Sequence, residues 1–287
     1  MGRVLWQIPP EADGLRADAF LRLTLPDLPE SVLRRVFAAK DVRLDGQRIS
    51  RESPVSAGAQ FSVFLPDSAS PESLSVVYED QDVLLVNKRA GLCVEADGPG
   101  VSLAALCRQH VGAPPDALFP APCHRLDNQT CGLCLFAKNQ PALDILLNVF
   151  RDRSLEKYYV CLVRGIMKPP AAVCKAWLLK DAREACVRVT DHPIPGARPI
   201  VTGYETLESG PVSRLKVHLI TGRTHQIRAH LAALGHPILG DDLYGDRALN
   251  RARKVRSLRL CAVSLRLDTR GQLPALDGRL FEITPPF

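Results

Sequence analysis

The sequence predicts an α+β protein: a larger domain on a mixed, largely antiparallel sheet, behind a small α/β module. Three observations lead there. From residue 74 onward, β-rich runs follow one another at Leu74–Tyr78, Val83–Asn87, Gly132–Ala137, Lys157–Val163, Val201–Leu207 and Arg214–Ile220. They do not alternate regularly with helical patterns, which argues against a doubly wound parallel sheet. The first 65 residues read as a separate unit, and Pro66-Asp67-Ser68-Ala69-Ser70-Pro71 has a linker's composition. The expected boundaries are 1–65 for the module, 66–73 for the linker and 74–287 for the larger domain.

Within the module, Leu15, Phe20, Leu21, Leu23 and Leu25 mark a first helix that must stop before Pro26. Ser31 is placed to cap a second, with Leu33, Val36 and Phe37 inward and Arg34 and Arg35 outward. Val42-Arg43-Leu44 followed by Asp45-Gly46 reads as a strand entering a hairpin, and Phe61–Leu65 as a closing strand. In the larger domain a helix is expected from about His225 to Leu234. Thr224 would cap it, Ile227, Leu231 and Leu234 share a face, and Gly235 and Pro237 stop it.

Composition excludes some classes. No run approaches the eighteen or so apolar residues that span a bilayer, and Met1–Pro10 lacks a signal peptide's apolar core. A cytoplasmic protein without membrane association is therefore expected, acting as a monomer. Nine cysteines is an odd count in a long chain without an export signal, so reduced thiols are expected. The net charge of +6 favours a polyanionic partner only weakly. The first 65 residues hold nine basic and eight acidic groups, although Arg34, Arg35 and Arg43 could form a local patch.

Two constellations carry chemistry. Pro122-Cys123-His124-Arg125-Leu126-Asp127 lies between a Pro-rich loop and a strand, and loops held by a sheet commonly present reactive groups. An arginine beside Asp127 favours the carboxylate, which can serve as nucleophile or base; a surface salt bridge in a turn is the alternative. In Thr221-Gly222-Arg223-Thr224-His225-Gln226-Ile227-Arg228 a strand ends, Gly222 turns the chain and a helix begins. Its free N–H groups, Arg223, His225 and Arg228 make a compact site for a phosphate, or for a carboxylate such as Asp127. A capped helix with solvated arginines is the alternative.

These segments resemble the signatures of the RluA-type RNA pseudouridine synthases. The likeness rests on His124-Arg-Leu-Asp127 with Thr130-x-Gly132-Leu133, and on Gly222-Arg-Thr-His-Gln-Ile-Arg228 with Gly235-His-Pro and Gly240-Asp241-x-x-Tyr244-Gly245. Tyr78-Glu79-Asp80 through Asn87-Lys88 with Gly91-Leu92, Lys157-Tyr158-Tyr159 with Val163-x-Gly165, and Thr202-x-Tyr204 agree, in family order. The first 65 residues resemble the S-four-type RNA-binding module often fused in front of this domain.

The resemblance implies isomerisation of specific uridines in structured RNA, ribosomal by default and transfer RNA as an option, with no cofactor and no metal. It implies Asp127 as the essential carboxylate, Tyr159 as the phenol that stacks on uracil or moves a proton, and Arg223 as the partner that pairs with Asp127. Arg125 would fill the gap left by a flipped nucleotide. His124, Arg228, Arg34 and Arg35 would contact RNA. So would Arg251, Arg253 and Lys254, within a stretch from Arg247 to Arg259 that holds six basic residues and no acid. The competing reading is a non-catalytic RNA-binding or ribosome-assembly protein that retains the fold. The chain departs from the family pattern at Arg89 (usually Pro), Cys131 (usually Ser) and Cys261 (often His), and Lys40-Asp41 stands where the module usually has Gly. Cys131-Gly-Leu-Cys134 could suggest zinc or redox chemistry, but no second paired cluster accompanies it, so buried thiols are expected.

Overall fold

The computed structural model describes residues 2–25, 28, 30–65, 74–96, 102–114, 116–181 and 186–287. The chain divides into two compact units, Met1–Leu74 with Glu95–His110, and Ser75–Val94 with Val111–Phe287. The linker expected at 66–73 lies outside the described residues.

The first unit holds β1 (Gly2–Gln7), α1 (Ala17–Thr24), α2 (Glu30–Ala38), β2 (Val42–Leu44), β3 (Gln47–Arg48), β4 (Gln60–Leu65) and α3 (Leu103–His110). The strands form an antiparallel sheet in the order β1-β4-β2-β3. Phe20 and Leu21 of α1 and Leu33 and Val36 of α2 are buried against Val42, Phe61, Val63 and Leu65, and Phe20 meets Phe61 edge-on at 5.0 Å. Asp45 (φ 47) and Gly46 (φ 81) both take the left-handed conformation that a two-residue hairpin requires. The sequence reading differs in two places. The helix α2 already begins at Glu30, so Ser31 lies in its first turn and not at its cap. It also lacked β1, in which only Val4 and Trp6 pack against the core.

The second unit comprises β5 (Val76–Glu79), β6 (Val83–Lys88), β7 (Ala121–Pro122), β8 (Cys131–Ala137), α4 (Gln140–Asp152), β9 (Leu155–Arg164), β10 (Ala171–Asp181), β11 (Cys186–Thr190), β12 (Arg198–Glu208), β13 (Val212–Leu219), α5 (Gln226–Ala233), α6 (Arg247–Ala252), β14 (Leu260–Leu267) and β15 (Leu280–Glu282). Its sheet runs β11-β10-β12-β13-β9-β14-β8-β6-β5, with β15 on β14 and β7 on β8. Every pairing is antiparallel except β14 with β8, which matches the mixed, largely antiparallel sheet expected. The strand β8 is buried along its whole length, as a central strand covered on both faces must be. Leu146 and Val149 of α4 pack with Leu133, Leu135, Leu265 and Leu267, and Asn139 caps α4 by accepting the Ala142 amide at 2.9 Å. Among the described residues no helix is long and apolar enough to cross a membrane.

All nine cysteines are thiols, none of them in a disulfide. Cys131 and Cys134 lie three apart on one strand, so their side chains leave opposite faces. Cys131 packs with Val160, Cys261 and Val263, whereas the Cys134 thiol lies 3.8 Å from the His124 carbonyl.

The parallel seam imposes the tightest backbone constraint. Cys131 and Gly132 stand opposite Cys261 and Ala262. Gly132 has φ +116°, and a β-carbon there would overlap the Ala262 backbone. Gly132→Ala is expected to destabilise the fold by about 3 kcal/mol or more, read as a lowered denaturant midpoint in equilibrium unfolding.

Candidate active site

The end of β7, the turn into β8 and the N-terminal turn of α5 converge on Asp127. Its side chain is 22% exposed, and Oδ2 lies 3.5 Å from Nη1 of Arg228. That distance is long for a hydrogen bond and short for an ion pair, so the carboxylate is oriented while most of its lone pairs remain open. The turn is pinned by the Thr130 amide, which donates to the Asp127 carbonyl at 3.0 Å.

Arg228 is 5% exposed and held by a fully buried carboxylate. Its Nε and Nη2 donate to Asp241 Oδ2 and Oδ1 at 2.8 and 2.9 Å, a two-pronged pairing that fixes the guanidinium plane. Nη2 also reaches Asp242 at 3.2 Å, and the guanidinium lies 5.4 Å from the Tyr244 ring centre. Only the Nη1 edge is left to face Asp127. Burial works against the charge of Arg228, but the hydrogen bonds and charge of Asp241 outweigh it and raise its pKa. Burial alone would raise the pKa of Asp241; Arg228 and the amides of Tyr244 and Leu243 hold it below the ordinary carboxylate value. The loop folds tightly enough that a β-carbon at Gly240 would overlap the Ser257 carbonyl.

A second buried cation holds the Asp127 turn from below. Lys88, 1% exposed at the end of β6, donates to the carbonyls of Arg89, Leu92 and Asn128 at 3.0, 2.6 and 2.9 Å. Burial lowers its pKa to about 8, opposed by neighbouring negative groups that include Asp127. Tyr159, on β9 and 6% exposed, has its phenol pKa pushed up by burial and then by the charge of Asp127. It is therefore a neutral aromatic face beside the carboxylate.

The structure corrects the sequence reading in this region. Arg223 does not pair with Asp127. It is exposed and has no ion pair among the described residues, and Arg228 supplies the guanidinium instead. Thr224 does not cap α5. His225, in the left-handed conformation (φ 55), is the residue before the helix. The Gln226 side chain folds back, accepting from the Thr221 hydroxyl at 2.8 Å and the Arg223 amide at 3.1 Å, and donating to Thr202 Oγ1 at 3.0 Å. This closes the turn, leaves Arg223 outside and aims Arg228, one turn into the helix, at Asp127. His225 stays beside them: its Nδ1 is bonded to the Tyr244 hydroxyl at 3.0 Å, and burial lowers its pKa against the opposing charge of Asp127.

His124 is not a cation. Its ring stacks on Phe150 at 4.8 Å and its Nε2 accepts the Leu135 amide at 3.2 Å. Burial, then the nearby charge of Lys157, lowers its pKa to about 3. Arg125, Arg35, Arg251, Arg253 and Lys254 are exposed, and Arg34 bonds Glu30 at 3.4 Å. Sequence reasoning assigned no role to Lys88, Asp241 or Gln226. The available signal was a charged residue closing an apolar run, as at Val83-Leu-Leu-Val-Asn-Lys88, and an acid between Gly240 and Gly245.

The chain is similar to known proteins in both sequence and fold. Residues 82–233 match the family model described as RNA pseudouridylate synthase. Ribosomal large subunit pseudouridine synthase C of Vibrio vulnificus is 35% identical over 250 residues, covering 82% of this chain and 78% of that protein. The same-named protein of Vibrio parahaemolyticus is 36% identical over 252 residues, with the same coverage. The solved structure of human RNA pseudouridylate synthase domain containing 1 superposes with a TM-score of 0.59 at 28% identity, covering 77% of this chain and 94% of that one.

Asp241→Asn leaves the Arg228 charge with a neutral partner and is expected to cost about 3 kcal/mol at neutral pH. Because the folded-state pKa of Asp241 is depressed, its contribution is complete above the unfolded value near 4 and is lost as pH falls through the folded one. Urea unfolding of both proteins between pH 7 and pH 3 should therefore show the difference shrinking with acidity.

Proposed function

The chain belongs to the RNA pseudouridylate synthase family, and on that premise we propose that it isomerises uridine to pseudouridine in ribosomal RNA with Asp127 as the reacting carboxylate. The observation that carries this reading is the pairing of a partly exposed carboxylate with a buried, pre-oriented arginine beside a protonated phenol. The reaction breaks the bond between uracil N1 and the sugar carbon, turns the base and rejoins it through C5. The C5 proton is lost and N1 gains one, so the product is an isomer and no redox partner enters.

Breaking that bond builds positive charge on the sugar, which a carboxylate stabilises. Arg228 keeps Asp127 aimed without saturating its oxygens. The phenol of Tyr159 is held neutral, which supports a stacking face for the uracil in preference to a base. The reacting atoms are hidden in stacked RNA, so the nucleotide must leave the stack, and the exposed Arg125, which has no ion pair among the described residues, is suited to fill the gap. Arg223 at the mouth of the turn, and Arg251, Arg253 and Lys254 on and after α6, supply charge for phosphates. Arg34 and Arg35 on the outer side of α2 give the first unit a similar role, as an S-four-like RNA-binding module.

Asp127→Asn preserves shape and removes the charge. It is expected to lower the single-turnover rate about a thousand-fold or more. In cells deleted for the native gene it should restore none of the pseudouridines that the wild type restores. Persistence of pseudouridine at every such site would overturn the assignment of Asp127.

A further inference from the structure

Lys157 lies on β9 two residues before Tyr159, so both side chains leave the same face of the strand. The amine sits 5.2 Å from the centre of the Phe150 ring, which stacks on His124. On the solvent side it meets Gly222, where a β-carbon would stand 3.6 Å from Nζ. Among the described residues Lys157 has no ion pair and no hydrogen bond. Burial lowers its pKa to about 8, with no carboxylate opposing the shift. Lys88 is the instructive contrast, since its three donors are all engaged by carbonyls.

Lys157 is half-buried, and an ammonium partly withdrawn from water without a partner carries a cost. A leucine or methionine would pack against Phe150 and His124 without that cost. The amine instead lies between the segment carrying Asp127 and the turn carrying Arg223, with three unused donors, under a residue that has no side chain. Gly222, Arg223 and Thr224 are all exposed. We propose that Lys157 forms a phosphate subsite: its ammonium takes one backbone phosphate of the RNA, which approaches over Gly222. The cation–aromatic contact holds the amine in place until the phosphate arrives. This rests on the RNA-modifying reading above and adds a contact that orders the backbone next to the flipped nucleotide.

The test measures binding of an unmodified transcript of bacterial large-subunit ribosomal RNA across a salt series, alongside pseudouridine formation on the same RNA. Lys157→Met should flatten the dependence of log affinity on log salt by about 0.7 to 0.9, the release of counterions from one phosphate. It should also weaken binding about ten-fold at 0.1 M salt, and Lys157→Arg should recover the slope. Gly222→Val keeps the lysine and covers it. The backbone of Gly222 is outside the left-handed region and a β-carbon there meets only Lys157 Nζ within 4 Å, so the same flattening is expected even if Lys157→Met does not fold. Wild-type slopes in both Lys157→Met and Gly222→Val would overturn the subsite while leaving the enzyme assignment intact. Altered slopes with no pseudouridine from the wild-type protein would sink the enzyme assignment and leave the subsite standing.

Discussion

Arg228 carries a positive charge into the interior, where the buried carboxylate of Asp241 meets it, with the more exposed Asp127 and Asp242 at its outer edge. Most of what the site can do depends on how unequal those contacts are. Asp241 is fully buried and engages two guanidinium nitrogens. Asp127 is only touched, at 3.5 Å. The strong pair supplies rigidity, and the weak one leaves the Asp127 oxygens open, as its proposed role requires. A carboxylate locked in two short charge-assisted bonds would have little left for a substrate, and one without any cation would be free to rotate.

Two cations divide the labour around Asp127. Arg228 addresses its side chain. Lys88 addresses its backbone, by gathering the carbonyls of Arg89, Leu92 and Asn128 from two loops onto one buried amine. Carbonyls in an irregular turn need donors, and a single lysine satisfies them at one point without widening the turn. Tyr159 lies beside this arrangement and stays neutral because it is buried next to a negative charge.

The strands from Val76 to Leu219 were legible where apolar and β-branched residues cluster, and the sheet class followed from their succession. The hairpin at Asp45-Gly46 was legible because few residues tolerate that conformation. The strands β10 and β11 escaped because their residues are mostly half-exposed, so no apolar run announces them. The helix α4 escaped as well, although Asn139 caps it. The identity of the arginine facing Asp127 was not legible from spacing. Arg223 and Arg228 were both plausible until the fold of the Gln226 side chain decided which one turns inward. Pairings of this kind are set by a network spanning Thr202, Thr221 and Gln226, which no local pattern displays.

The parallel seam between β8 and β14 has a consequence for how the protein is made. The strand leaving the Asp127 turn is completed on one side by β6, available early in synthesis, and on the other by β14, which emerges far later. Such long-range pairings form slowly, because the intervening chain must first be ordered. Until Cys261 and Ala262 dock against Cys131 and Gly132, the turn is supported from one side only. The carboxylate therefore has its final geometry only once β14 has paired, and a nascent or truncated chain ending before β14 carries the residues proposed to react without carrying the site.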